Sequence, residues 1–230
     1  MQRAKFEALF RQFVEHFGGE IVPEEAGRSA DYFFHRHNVV AELKCLIVDQ
    51  TTDTFNKLRE LTAKHQIDTN SRSMLLSDGF LQEWQKVLLA PIENIIRDAN
   101  RQIRATKERL AIPSAHGVIL IFNEGNPLHA LDPRHNARLV GEVIQKPKLG
   151  HRRFPNIQGM VYFSFGTIKT FDEQIQQHMP FWLSAQVRSD SVEEVKRFQD
   201  DLKLGWYQHI ERMIGALVRS HYRETGWSDV

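Results

Sequence analysis

In SADYFFHRHNVVAELKCL, residues 29–46, Asp31 opens one apolar run, and eleven residues on Glu42 and Lys44 stand two apart inside a second. Side chains two apart in a strand share a face. Glu42 and Lys44 therefore point one way, while Ala41, Leu43 and Cys45 point the other way into a core. Charge on the flank of an apolar strand is costly unless it is paired or binds something. Asp31, at the start of the neighbouring strand of a hairpin, is placed to meet both charges. Two carboxylates and a lysine around one point make a divalent-cation site. Hard oxygen ligands suit magnesium, and the lysine orients a water or stabilises developing charge. The plainer alternative for an E-x-K strand is an exposed cross-strand ion pair.

The elements that must position these residues follow from periodicity. Phe6, Leu9, Phe10, Phe13, Val14 and Phe17 recur at helical spacing, so residues 3–17 are predicted to form a helix that Gly18-Gly19 ends. GEIVPEE is a short strand stopped by Pro23, and ADYFFHRH and NVVAELKCLIV are strands joined by a turn near His37-Asn38. Residues 51–110 read as helical, with Thr51 or Asp53 and Ser77 or Asp78 as caps and Pro91 as a kink. HGVILIF, 116–122, has the continuous apolar character of a central strand covered on both faces. A helix starting near Pro133, strands at GMVYFSF and FWLSAQV, and a helix or helix pair over 191–221 complete the chain. This is an α/β order with a mixed sheet flanked by helices. It reads as one domain, 1–230, with a helical insertion at 51–110 and a C-terminal helical segment at 191–230.

Composition narrows the function classes. Hydrophobic residues at 41% and charged residues at 26% of 230 are ordinary globular values. A net charge of +1 provides no bulk attraction to polyanions, so any such contact must come from local patches. No apolar stretch approaches a membrane span, and the amphipathic start MQRAKFEALFRQF is unlike a signal peptide. The single cysteine, Cys45, excludes an internal disulfide and any multi-cysteine zinc site. The expected compartment is the cytoplasm.

Asp31…Glu42-Leu43-Lys44 resembles the motif of the PD-(D/E)xK nuclease superfamily, whose restriction-endonuclease-like core runs helix, three strands, helix, strand. The opening residues look most like archaeal Holliday junction resolvase-type endonucleases. Those carry a further glutamate in the first helix, a helix-ending glycine, the aspartate and the E-x-K strand. The likeness covers residues 5–48 in motif and 112–165 in topology only. Ala30 stands where the motif's name has proline, and the 51–110 helical segment matches no named subfamily. The resemblance implies that Asp31 and Glu42, with the carbonyl of Leu43, hold Mg2+, with Mn2+ able to substitute. It makes Lys44 the residue that positions water or stabilises the transition state. It also implies an outer or second-metal ligand from the first helix. At 100° per residue Glu15 falls opposite the phenylalanine stripe and Glu7 at its edge, which selects Glu7. The implied activity is phosphodiester hydrolysis by a DNA endonuclease. The alternatives are a catalytically inactive scaffold of the same fold that binds a protein or nucleic-acid partner, and an enzyme acting on a small phosphorylated molecule. A protein partner would use 51–110 and the terminal helix, and a homodimer is compatible with the reading.

Two basic stretches are candidates for phosphate contact. Arg97, Arg101 and Arg104 share a helical face, for which the alternative is a solvated face paired with Glu93, Asp98 and Glu108. The loop QKPKLGHRRF gathers Lys146, Lys148, Arg152 and Arg153 with no acid among them. His35 and His37 lack a third ligand in spacing for zinc and read as exposed imidazoles at a hairpin tip. Cys45 reads as a small core residue.

Overall fold

A computed structural model describes residues 3–23, 29–46, 49–65, 67, 77–123, 133–145, 153–169, 176–186 and 192–214. The first helix, α1 (Arg3–His16), buries Phe6, Phe10 and Phe13 to 1% exposure or less. It ends where predicted. Gly18 adopts the left-handed φ of 83°, and the Gly19 N–H then reaches back to the Val14 carbonyl at 2.8 Å. Only glycine takes that conformation without a Cβ penalty.

Three strands follow: β1 (Glu20–Ile21), β2 (Tyr32–Phe34) and β3 (Val39–Leu46). The second strand is shorter than ADYFFHRH suggested, because His35–His37 form a single 3-10 turn and Asn38 closes it at φ 50°. His35 is exposed as expected and bonds Glu20 at 2.7 Å. His37 is not an exposed tip residue. Its side chain is 6% exposed, bonded to Asp201 at 2.9 Å, and its ring lies against Phe17 and Phe198.

Helix α2 (Asp49–Lys64) begins upstream of the expected caps Thr51 and Asp53. Helix α3 (Asp78–Arg109) is capped by Ser77, whose hydroxyl accepts from the Phe80 N–H, and it runs as one helix through Pro91. The remaining elements are β4 (His116–Asn123), α4 (Pro133–Gln145), β5 (Gly159–Lys169), β6 (Gln176–Gln186) and α5 (Val192–Ile214). The chain closes on one helix there, not a pair, among the described residues.

The six strands form one open mixed sheet in the order β1-β2-β3-β4-β5-β6. Pairs β1/β2, β2/β3 and β5/β6 are antiparallel, whereas β3/β4 and β4/β5 are parallel. One face packs under α3 and α4 through Ile92, Ile96, Ala99, Ile103, Val140 and Val143. The other packs under α1 and α5 through Phe6, Phe10, Phe198, Leu202 and Trp206. Residues Val118 to Phe122 of β4 are at most 1% exposed, which explains their unbroken apolar run. The segment expected as an insertion therefore includes core material: beyond Pro91, α3 supplies four residues to the hydrophobic layer on β3 and β4.

Candidate functional site

Strand β3 carries the site because its alternation sorts side chains between two covered faces. Val40 and Leu46 join the layer beneath α3, while Ala41, Leu43 and Cys45 pack on the side of α1 and α5. Glu42 and Lys44, two apart and in phase with Val40, consequently face α3. Both faces being covered, Glu42 is 2% exposed and Lys44 has 23% of its side chain in solvent. This is no exposed cross-strand pair.

Asp31 lies just before β2. Tyr32 pairs with Ala41 in the antiparallel ladder, so one step further Asp31 stands opposite Glu42. The ladder has ended there, and the Leu43 N–H donates to Asp31 Oδ2 at 2.8 Å instead of to a strand carbonyl. In an extended strand a residue's carbonyl leaves on the same side as its N–H. The Leu43 carbonyl therefore also faces the space beyond the end of β2. Lys44 Nζ lies 2.6 Å from Glu42 Oε1 and donates to Gln102 Oε1 at 2.7 Å. Glu42 Oε2 is buried and has no hydrogen-bond donor.

The electrostatics follow from that packing. Burial, and then the charge of Asp31, push the Glu42 carboxyl up to about 8, against the partial offset of the Lys44 ammonium. Burial also raises Asp31, opposed by the Leu43 N–H and by Lys44. The Glu42 carboxyl consequently takes up a proton more readily than an exposed glutamate does. A divalent cation placed there would supply the missing positive charge and satisfy the orphaned Glu42 Oε2. The donors on offer are two carboxylates and a main-chain carbonyl, all hard oxygens of the kind magnesium takes, with water or phosphate filling its remaining positions. Among the described residues no group of three or more His, Cys, Asp and Glu is gathered for a metal ion, so any ion here rests on the Asp31–Glu42 pair.

Glu7 approaches from α1, on the opposite face of the sheet. It is half-buried, its Oε1 lies 3.9 Å from Cys45 Sγ, and its charge acts on Asp31. Glu15 is exposed, as its helical phase predicts. Glu7 thus reaches toward the pair from the α1 side, with its charge felt by Asp31.

The basic candidates fare differently. Arg97 bonds Glu93 and Asn94 at 2.8 and 3.0 Å, Arg101 lies 3.4 Å from Asp98, and Arg104 lies 3.4 Å from Glu108. This is the paired, solvated face that stood as the alternative to phosphate contact. Arg153, expected to be unshielded by any acid, is held by Glu93 and stacks over Phe154 at 5.3 Å. Lys146, Lys148 and Arg152 lie outside the described residues. A cavity of about 600 Å³ lined by Arg36, His37, Glu193, Arg197 and Asp201 opens at the far end of the β2–β3 hairpin, away from Asp31 and Glu42.

Sequence reasoning missed Gln102 and Thr106 on α3. Gln102 Nε2 donates to the Ser29 carbonyl at 3.0 Å, and Thr106 Oγ1 accepts from the Ala30 N–H at 2.7 Å. The available signal was two polar residues four apart, in phase with the apolar stripe of Ala99 and Ile103 rather than with the arginine face. No helix among the described residues is long and apolar enough to cross a membrane. No family model, no curated protein and no solved structure matches this chain.

Proposed function

We propose that this chain is a metal-dependent nuclease of the PD-(D/E)xK kind that hydrolyses phosphodiester bonds in DNA as an endonuclease. One observation carries the reading: Asp31 stands opposite Glu42, whose Oε2 is buried without a donor, and Lys44 flanks them on the same face. A purely structural ion pair would need one carboxylate for one ammonium. Here two carboxyls share a single lysine, and a cation taking the place of the proton that Glu42 otherwise binds would balance the second carboxylate. Support also comes from the element order, in which α1 precedes three antiparallel strands, helices and a strand parallel to β3. The superfamily resemblance implies a similar order with a single helix before that strand.

In this reading Asp31, Glu42 and the Leu43 carbonyl would hold Mg2+ or Mn2+. When bound, the ion would lower the pKa of water and neutralise charge on the scissile phosphate. Lys44 has three N–H donors, of which Glu42 and Gln102 occupy two. The third is free to hold the attacking water or a phosphate oxygen, where a fixed charge stabilises the transition state. Burial against α3 excludes bulk water from the Glu42 carboxylate and strengthens its interactions. Glu7, from the α1 side, would act as an outer ligand.

A second reading has an observation of its own. Arg97, Arg101, Arg104 and Arg153 are all committed to acids, so none of the four described members of the basic candidates is held ready for DNA, which favours a non-catalytic module binding a protein partner. Incubating the protein with single-stranded, duplex and branched DNA in Mg2+ or Mn2+, beside Lys44→Ala, separates the two. Metal-dependent cleavage by the unmodified protein that Lys44→Ala loses supports the nuclease. An unmodified protein that leaves every substrate intact in both metals supports the module.

A further inference from the structure

We propose that Gln102 of α3 is a positioning residue for this site, tying the Lys44 ammonium to the backbone that delivers Asp31; the inference rests on the nuclease reading. The side-chain amide spans two parts of the chain that the strand ladder does not join. Its oxygen accepts from Lys44 Nζ at 2.7 Å, and its nitrogen donates to the Ser29 carbonyl at 3.0 Å. Only this orientation serves both partners. Turned over, the amide would set donor against ammonium and oxygen against carbonyl. One turn on, the Thr106 hydroxyl accepts from the Ala30 N–H at 2.7 Å, so α3 grips both residues that precede Asp31. The Leu43 N–H holds the Asp31 carboxylate from the other side.

The consequence lies in the geometry of Lys44. Its ammonium sits on a flexible four-carbon stem whose rotamer freedom must be removed before its charge can be aimed. Glu42 fixes one direction and Gln102 a second, so together they determine where the remaining N–H points. Glu42 alone would leave the ammonium free to turn about one contact. Loss of Gln102 therefore costs turnover, not substrate binding, since the Asp31 and Glu42 carboxylates stay in place.

The test uses the full chain with Leu, Glu and Val replacements: Gln102→Leu, Gln102→Glu and Thr106→Val. Brief acetic anhydride labelling read by mass spectrometry gives the reactivity of Lys44 relative to exposed Lys57, while steady-state cleavage in Mn2+ gives kcat and KM. Gln102→Leu should raise Lys44 labelling several-fold and lower kcat about 10–100-fold, the range for lost outer-shell hydrogen bonds, with KM unchanged. Gln102→Glu still accepts from Lys44 but loses the Ser29 bond and sets a carboxylate oxygen against that carbonyl, so it should keep Lys44 protected while recovering only part of kcat. Thr106→Val loses only the Ala30 anchor and should leave Lys44 labelling as in the unmodified protein. Lys44 labelling that ignores Gln102→Leu, or cleavage by Gln102→Leu at the original rate, overturns the inference. So does a Thr106→Val variant that loses kcat as fully as Gln102→Leu, because the effect would then follow general loosening. An unmodified protein that cuts no DNA, with the labelling response intact, instead overturns the nuclease reading and removes the reaction for which Gln102 would position Lys44.

Discussion

Replacing Glu42 by Gln should make the metal-free protein more stable at pH 8 than the unmodified chain, although it removes a candidate ligand. Glu42 is 2% exposed, and its carboxyl is pushed up to about 8 by burial and by Asp31. The folded state therefore binds the proton more tightly than the unfolded state, where a glutamate titrates near its ordinary value of 4.5. Stability falls wherever the folded state binds more protons, so it is fully present below about 4.5 and is lost as pH rises to about 8. At about 1.4 kcal/mol per pH unit, this interval corresponds to an upper bound of about 5 kcal/mol. Glutamine reproduces the protonated shape. Its oxygen can keep the Lys44 bond, and its amide N–H faces Asp31 where the Glu42 proton would lie. Urea unfolding in EDTA, followed by tryptophan fluorescence at pH 5, 6.5 and 8, measures both curves. The buried Trp206 reports on the core. The stability of the unmodified protein should fall across the range relative to Glu42→Gln, and saturating Mn2+ at pH 8 should restore it, by about 2.7 kcal/mol at one hundred times Kd. Parallel curves for the two proteins would refute the idea that Glu42 is a desolvated carboxyl facing a second one.

Other perturbations probe separate parts of the molecule. Asp31→Asn keeps an oxygen for the Leu43 N–H but removes the charge, so metal-dependent cleavage should drop to background while DNA retention in a gel-shift assay persists. Thr106→Val should destabilise the fold by about 1–3 kcal/mol in urea titrations, because it strands the buried Ala30 N–H. Alanine at Lys146, Lys148 and Arg152 should weaken DNA binding and flatten the log–log salt dependence by about 0.9 for each phosphate that no longer meets a cation.

The E-x-K strand was legible because its signal is local: strand alternation alone puts Glu42 and Lys44 on one face, whatever the rest of the chain does. The Asp31 placement was nearly as accessible, since a short antiparallel hairpin fixes which residue stands opposite Glu42. Helix α1 could be read down to its Gly18 stop for the same reason, as one apolar stripe ended by a residue suited to positive φ. What escaped depended on tertiary pairing. His37 looks like a hairpin-tip residue until α5 folds over it and supplies Asp201 from 164 positions away. Arg153 looks free until α3 presents Glu93. Gln102 and Thr106 were hidden because polar residues in an apolar stripe acquire meaning only once the backbone at Ser29 and Ala30 is known to lie against them. The role of the 51–110 stretch was hidden in a similar way, since sequence marks it as helical without showing which half covers the sheet.

The most direct test of the central claim is an anomalous X-ray difference map from crystals soaked in Mn2+. The expected result is a peak bridging one oxygen of Asp31, one of Glu42 and the Leu43 carbonyl, with Lys44 still bonded to Gln102 beside it. A map at saturating Mn2+ with no peak between Asp31 and Glu42, or with the ion elsewhere on the molecule, would contradict it.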